Sequence, residues 1–131
     1  MSVTFPDAML ATLVVLRAAF PTEATFGTKP PDAFDAGDVP TFPYAMVRTD
    51  GTTVRHPVAA TATVRLAVWA DSEAAGYSLA NRIQAALLDY SGGPSVRGFG
   101  EGIGPVPTTD PETGRPLTSF TVAARLRPVV T

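Results

Sequence analysis

One segment, Ala60 to Trp69, constrains the fold of this chain more than any other. Its residues alternate strictly between two faces, which is the pattern of a half-buried β-strand. One face is wholly apolar and is expected to contact the core; it consists of Ala62, Val64, Leu66 and Val68. The other face mixes a tryptophan and an arginine with small residues, namely Thr61, Thr63, Arg65, Ala67 and Trp69. The fold therefore needs a sheet with one buried face and one face that is half-covered or contacts a partner.

Helical patterns lie on both sides of this strand. The first runs from Thr4 to Phe20, because Thr4-Phe5-Pro6-Asp7 matches a capping box, apolar residues follow at helical spacing, and Pro21 ends the pattern. The second begins at a cap on Asp71 or Ser72 and continues to Tyr90 with its apolar residues on one stripe. We therefore expect two main helices, both packed on the same face of the sheet.

A first pair of strands is predicted before the second helix. Residues 44–49 have a strand pattern, and Asp50-Gly51 is a typical two-residue hairpin turn, because both central positions require positive φ. Residues 52–55 would then pair back, before Pro57 interrupts the pattern. Thr25-Phe26 is a candidate for an additional short strand.

A second pair of strands is predicted after the second helix. The segment from Asp110 to Gly114 has turn chemistry, and it would join a strand near residues 103–108 to a last strand from Pro116 to Arg127. The predicted order is helix, two or three strands, helix, two strands. This order predicts an α+β fold with a mixed, mainly antiparallel sheet of four to five strands.

Length and composition favour one domain over residues 1–131. The chain has 131 residues, of which 45% are hydrophobic and 17% charged, values typical of a folded domain. No linker divides it, although long loops rich in proline and glycine are expected at residues 21–43 and 92–116. The absence of cysteine excludes disulfides and thiolate chemistry. No apolar run reaches the length of a membrane span, so no membrane contact is expected.

Catalysis is not expected, because no group of titratable residues has a spacing that points to a reaction. His56 is the only histidine, and Asp50 would lie near it across the predicted hairpin. A histidine at a hairpin end is more often a solvated residue than a general base. The sequence therefore favours a binding or structural role over an enzyme.

Two loop motifs were weighed as ligand sites. Asp32, Asp35 and Asp38 are spaced three apart, whereas calcium loops space their ligands two apart and end on a glutamate. The alternating glycines of residues 98–104 precede no helix, so they predict a flexible arm or a bulged strand rather than a phosphate-binding loop. We therefore expect neither a metal nor a cofactor.

Contact residues for a partner are easier to nominate. Arg125 and Arg127 share one face of the predicted last strand, which is solvated or contacts an acidic partner or DNA phosphate. With a net charge of −2, the chain is not expected to be a dedicated nucleic-acid-binding protein. Trp69 either covers the sheet or anchors a protein interface, where tryptophan is enriched.

The order of these elements resembles the tail terminator (tail completion) proteins of long-tailed, non-contractile bacteriophages over nearly the whole chain. The resemblance rests on the helix ending at Phe20-Pro21, a proline-rich stretch and the strand beginning at Tyr44. It continues with a strand ending in Val68-Trp69-Ala70, which leads into an alanine-rich helix. It closes with the hairpin Asp110-Pro111-Glu112-Thr113-Gly114-Arg115-Pro116.

The resemblance implies a mechanical function without catalysis. Such proteins form a ring, expected to be a hexamer, on the head-proximal end of the tail tube. The ring ends tube polymerisation and presents a surface for head attachment. It would contact other copies of itself, the tail tube protein and a head-completion or connector protein, and DNA would pass through its channel without specific binding. The implied location is the virion tail, after assembly in the host cytoplasm.

A closed ring requires two different complementary patches on each subunit. The sequence suggests opposite charges for them: Arg97 or Arg115 on one subunit against Asp35 or Asp38 on the next. Two alternatives remain open. The chain is either another head–tail connector, such as a head-completion or stopper protein, or a small-ligand-binding α+β domain that uses the sheet face around Trp69.

Overall fold

A computed structural model describes residues 2–131 of the chain. In chain order the elements are β1 (Val3–Thr4), α1 (Ala8–Ala19), β2 (Thr25–Gly27), a 3₁₀ turn (Pro31–Ala33), β3 (Tyr44–Arg55), β4 (Ala59–Trp69), α2 (Glu73–Leu88), β5 (Val96–Gly100), β6 (Val106–Thr109), β7 (Pro116–Leu126) and β8 (Val129–Val130). Among these residues no helix is long and apolar enough to cross a membrane.

The main sheet has six strands in the order β2-β3-β4-β7-β5, with β6 paired to the other half of β7. β2 and β3 form a parallel pair, and the remaining pairs of this sheet are antiparallel. β1 and β8 form a separate two-stranded sheet that joins the two ends of the described chain. The predicted α+β class and the mixed, mainly antiparallel sheet are confirmed.

The core lies between the sheet and both helices. The apolar face of β4 is fully buried there, together with Leu13 and Leu16 of α1 and Ile83 and Leu87 of α2. The apolar face of β4 and the apolar stripes of both helices are therefore buried in one layer, as predicted. Burying each such side chain stabilises the fold by about 1.5–3 kcal/mol.

The first helix begins four residues later than predicted. Asp7, and not Thr4, is its N-cap: Asp7 Oδ1 accepts hydrogen bonds from the backbone N–H groups of Met9 (2.9 Å) and Leu10 (3.3 Å). Thr4 instead pairs with Val129 in the small sheet. The capping-box prediction was wrong because a long-range strand pair holds Thr4 in extended conformation, and the next good capping side chain then begins the helix.

The first hairpin turns at residues 56–58, and the predicted turn at Asp50-Gly51 was wrong. β3 runs straight through this dipeptide and pairs with β4 as far as Arg55 and Ala59. The pairing shifts between Thr49 and Gly51, so Asp50 is the extra residue of a β-bulge, and Gly51 supplies the positive φ of +141°. Pro57 lies in the true turn, where its missing N–H costs no ladder hydrogen bond.

The segment at 92–116, expected to be a long loop, contains two strands, β5 and β6, separated by irregular residues 101–105. β5 and β6 lie one after the other along the same edge of β7, and β5 has a register shift between Val96 and Gly98. Of the glycine-rich run at 98–104, residues 98–100 lie in β5, whose register shift falls at Arg97 just before the run, and residues 101–104 are irregular. The turn at Asp110 to Gly114 is confirmed as well: the Gly114 N–H donates to the Asp110 carbonyl oxygen at 2.8 Å.

Candidate functional site

The face of the main sheet that points away from the helices, called the outer face below, divides into two unlike ends. Strand register places residues of β3, β4 and β7 side by side in rows across this face. The row at one end consists of Tyr44, Trp69 and Leu117, and the row near the opposite end consists of Thr53, Thr61 and Arg125. The first end is covered by the chain, whereas the second is open to solvent.

The covered end contains an aromatic cluster, defined as Phe34, Phe42, Tyr44 and Trp69. The Tyr44 ring lies 5.9 Å from the Trp69 ring and 5.9 Å from the Phe34 ring, centroid to centroid. Its hydroxyl donates to the Lys29 carbonyl oxygen at 2.6 Å, and burial raises the pKa of Tyr44. The segment between β2 and β3 is thereby fixed over this end of the sheet.

Asp110 closes the cluster from the other side. Trp69 Nε1–H donates to Asp110 Oδ2 at 2.7 Å, the Thr113 hydroxyl donates to the same oxygen at 2.9 Å, and the Glu112 N–H donates to Oδ1 at 3.0 Å. Burial raises the pKa of Asp110, but these donors stabilise the carboxylate and leave the pKa below its ordinary value. The turn at 110–114 therefore binds the indole through a charged hydrogen bond.

Trp69 is consequently an internal residue. It is 3% exposed, which leaves almost none of its surface for a partner in this conformation. Of the two possibilities weighed from sequence, the structure matches the one in which Trp69 covers the sheet. Its partner Asp110 was missed as a binding residue, although a turn of composition Asp-Pro-Glu-Thr-Gly offers a carboxylate near its own backbone N–H groups.

Arg115 is also engaged inside the subunit. Its Nη1 lies 3.0 Å from Asp71 Oδ1, and its guanidinium carbon lies 3.9 Å from the centroid of the Phe42 ring. Asp71 is largely exposed, so the ion pair is worth little, and the stacking on Phe42 gives Arg115 its position. This arginine links the Asp110 turn to the segment over the aromatic cluster.

The other charged candidates do not meet at one site. Asp35 and Asp38 are exposed in the segment between β2 and β3, at one edge of the sheet. Arg97 is exposed on β5, at the opposite edge. Arg127 donates from Nε to the Gly93 carbonyl oxygen at 2.6 Å, so it fixes the chain that precedes β5.

The open end of the outer face forms an arginine trough. Its floor is a row of small residues, Gly51, Thr63, Ala123 and Gly100. One wall is the row of Arg48 and Arg65, which lie directly opposite each other on β3 and β4. The other wall is Arg125. Four residues of β4 separate the two walls, a distance of about 14 Å at the usual rise per residue.

Glycines on β5 let Arg125 lie flat across that strand. A Cβ at Gly98 would be 3.5 Å from Arg125 Nη2, and a Cβ at Gly100 would be 3.4 Å from Nη1. The glycine-rich run thus provides space for an arginine rather than backbone groups for a phosphate. Sequence analysis placed Arg125 and Arg65 on sheet faces but named only Arg125 as a contact residue, and it missed the pairing of Arg48 with Arg65, which depends on the bulge at Asp50.

Between the two ends lies a groove of about 380 Å³. Its floor includes Met46, Ala67 and Leu117, and the exposed side chains of Ile103 and Val106 form one side. Arg65 lies at its rim. The groove is mainly apolar and falls within the size range of small-molecule sites.

His56 is exposed in the hairpin turn, with Nε2 3.3 Å from the Val3 carbonyl oxygen. Asp50, considered as its partner, instead pairs with Arg65, with Oδ2 2.8 Å from Nη2. Within residues 2–131, no three or more His, Asp or Glu side chains are grouped so that they could hold a metal ion.

No family model matches the chain, and a search of curated proteins finds no match to it.

Proposed function

We propose that this protein is a structural virion protein that forms a ring on the head-proximal end of a phage tail tube. The ring would end tube polymerisation and present the surface to which the head attaches. Its partners would be further copies of itself, the tail tube protein and a head-completion or connector protein. The protein would act in the virion tail, after assembly in the host cytoplasm.

The observation that carries this proposal is the placement of opposite charges at opposite edges of one sheet. Asp35 and Asp38 lie beside β2, Arg97 lies on β5, and three strands separate β2 from β5 along the sheet. A head-to-tail contact needs two different patches on different sides of the subunit, and such contacts close into rings. Arg115 is the weaker candidate, because Asp71 and Phe42 already hold its side chain.

A second feature supports assembly. β2 pairs with the first three residues of β3 only, and the residues of β3 from Arg48 to Arg55 are exposed to solvent. From sequence, six of the eight residues from Arg48 to Arg55 were assigned to two separate short strands, with Asp50-Gly51 as the turn between them. Here all eight form part of one long exposed strand. Open strand edges bind further polypeptide readily, and a neighbouring subunit or the tube end would cover this one.

The decisive experiment measures the mass of the purified protein against concentration by analytical ultracentrifugation, with negative-stain images of each species. We expect a closed ring of about six subunits, either at high concentration or on the ends of added tail tubes. A dimer of constant mass that tail tubes do not recruit would overturn the proposal.

Charge reversal tests the two patches. Asp35→Arg with Asp38→Arg should abolish ring formation, and Arg97→Glu should do the same, because each change creates like-charge contacts between neighbours. Combining them should restore assembly. Asp89→Arg is the control, since this exposed residue at the end of α2 lies outside both patches. Normal rings in all variants would show that these residues are not the subunit contacts.

Two other functions remain candidates. The first, a head-completion or stopper protein, would also form a ring but would bind the portal end of the head instead of the tail tube. A pull-down with each partner distinguishes the two roles.

The second alternative is a small-ligand-binding domain, and the groove between the aromatic cluster and the trough supports it. Ligand-dependent melting across a compound library would support that function, and a ring unaffected by any compound would weaken it.

A further inference from the structure

We infer that the arginine trough binds the sugar-phosphate backbone of duplex DNA without reading its sequence. The inference deepens the proposed function, because it assigns the surface that would face DNA in the channel of the ring. It stands on the charges, the register and the side-chain sizes of the outer face.

Charge at the open end of the outer face is opposite to that of the whole chain. Among the strand residues on the outer side of β3, β4 and β7, the register places four arginines there, Arg48, Arg55, Arg65 and Arg125, with Asp50 at the bulge beside them, whereas the chain has a net charge of −2. The salt bridges found among residues 2–131 are Arg65–Asp50 and Arg115–Asp71, so the guanidinium groups of Arg48, Arg55 and Arg125 have no acidic partner there. The field of this face favours a polyanion.

The arrangement of the arginines also favours the binding of an anion. Arg48 lies directly opposite Arg65, and like charges in this position destabilise a pair of strands. Asp50 pairs with Arg65 and offsets part of that repulsion, and an anion bound beside both arginines would offset the remainder. Arg48 is held by a hydrogen bond from Nη1 to the Thr28 carbonyl oxygen at 3.2 Å, which leaves its other donors free to bind an anion.

The shape fits a duplex better than a flat protein surface. Small residues form the floor, so nothing larger than threonine rises between the two arginine rows. The backbone positions of the two rows are about 14 Å apart along β4, and the Arg125 guanidinium extends from there over Gly98 and Gly100. Arginines distributed over this length can contact more than one phosphate of a duplex. Threonine hydroxyls at positions 53, 61 and 63 are exposed and add donors for phosphate oxygens.

Sequence readout is not expected from this surface. The strand aromatics of the outer face, Tyr44 and Trp69, are buried at the covered end, and both helices described within residues 2–131 pack on the opposite face of the sheet. Arginine and threonine on a sheet would contact the backbone alone, which gives weak, salt-dependent binding. Such binding suits a surface past which DNA must slide.

The test measures binding of a fluorescently labelled duplex of about 30 base pairs and mixed sequence to the full chain, by anisotropy, over a series of salt concentrations. For three to four phosphate contacts, the logarithm of the affinity should fall with the logarithm of salt with a slope of about −3. Duplexes of different sequence should bind equally. No binding at about 20 mM salt would overturn the inference.

Matched variants locate the site. Arg125→Gln should reduce the affinity on the order of tenfold at low salt and make the salt slope shallower by about 1. Asp50→Asn should increase the affinity severalfold, because it frees Arg65 and removes a carboxylate from the trough. Far-UV circular dichroism checks that each variant folds; these side chains are solvent-facing, so folding should be retained.

The controls make the same changes of charge on the other side of the molecule. Arg82→Gln on α2 and Glu23→Gln beside it are exposed on the helix side. If they change the affinity as much as Arg125→Gln and Asp50→Asn, net charge explains the binding and the trough does not. If polyglutamate displaces DNA with equal affinity per charge, the trough is an acidic-protein site and the inference is wrong.

The outcome is independent of the ring. A protein that stays monomeric at high concentration and is not recruited by tail tubes, yet binds DNA through the trough, would refute ring formation and keep the inference. A ring whose DNA affinity does not respond to Arg125→Gln would keep the proposed assembly and refute the inference.

Discussion

The two ends of the outer face use the same three strands and differ only in the side chains these strands present. At the covered end, Tyr44 and Trp69 expose too much apolar surface to remain in water, and two segments from distant parts of the chain close over them. At the arginine trough, glycine, threonine and arginine need no cover. One end of the face thus contributes to stability, and the other is free for a partner.

The largest expected effect comes from the covered end. Trp69→Ala should lower the free energy of unfolding by about 3–5 kcal/mol, because it leaves a cavity beneath the aromatic cluster and removes the donor to Asp110. Urea denaturation measures the change. Arg125→Gln is the matched change in the trough and should alter stability by less than about 0.5 kcal/mol. Equal losses at the two ends would contradict the comparison.

A smaller loss is expected from removing the carboxylate that binds the indole. Asp110→Ala should lower the free energy of unfolding by about 1–3 kcal/mol, because the buried Trp69 N–H loses its acceptor. Trp69→Phe keeps most of the ring packing but removes the donor. In a double-mutant cycle the two changes should be non-additive by more than about 0.5 kcal/mol. Strict additivity would mean that the hydrogen bond does not contribute to stability.

Lowering the pH should destabilise the fold at the covered end, because Asp110 becomes protonated there. The pKa of Asp110 is lower in the folded state than its ordinary value, so the unfolded chain binds the proton more tightly. The stabilisation provided by the ionised Asp110 carboxylate is therefore complete above the ordinary aspartate pKa of about 4. It is lost as the pH falls through the lower folded-state pKa. Urea titrations from neutral to acidic pH should show this loss in the wild type, and a smaller one in Asp110→Ala.

The smallest effect is expected in the trough. Asp50→Asn removes an exposed ion pair with Arg65 and should change the free energy of unfolding by less than about 1 kcal/mol. The same substitution should strengthen DNA binding severalfold, so its effect on DNA affinity should be large while its effect on the free energy of unfolding is small. A large destabilisation would instead indicate that the bulge depends on this ion pair.

Local patterns in the sequence were sufficient for the parts of the fold that depend on local physics. The alternation of β4, the stripe of α2 and the turn at 110–114 were all predicted within a few residues. The prediction failed where a distant partner decided the outcome. Thr4 pairs with Val129, and the ladder to β4 carries β3 through Asp50-Gly51, although that dipeptide is a good turn on its own.

The candidate site was harder to predict for the same reason. Trp69 and Asp110 are far apart in sequence, and neither residue alone indicates a buried hydrogen bond between them. The trough requires the correct register of β3, which the predicted hairpin would have changed by reversing the chain after Thr49. Residue types alone therefore nominated Arg125 but not the opposing pair of arginines.

The position of β7 in the sheet has a consequence for how the chain folds. β7 lies between β4 and the β5–β6 edge, and its pairs with β4 join residues from Trp69 with Leu117 to Ala60 with Leu126, roughly fifty to sixty-six places apart. Such non-local pairing makes folding slow, because a long stretch of chain must be closed before any contact is gained. Until β7 arrives, one edge of the most apolar strand stays open, and misassembly with another nascent chain competes with completion of the sheet.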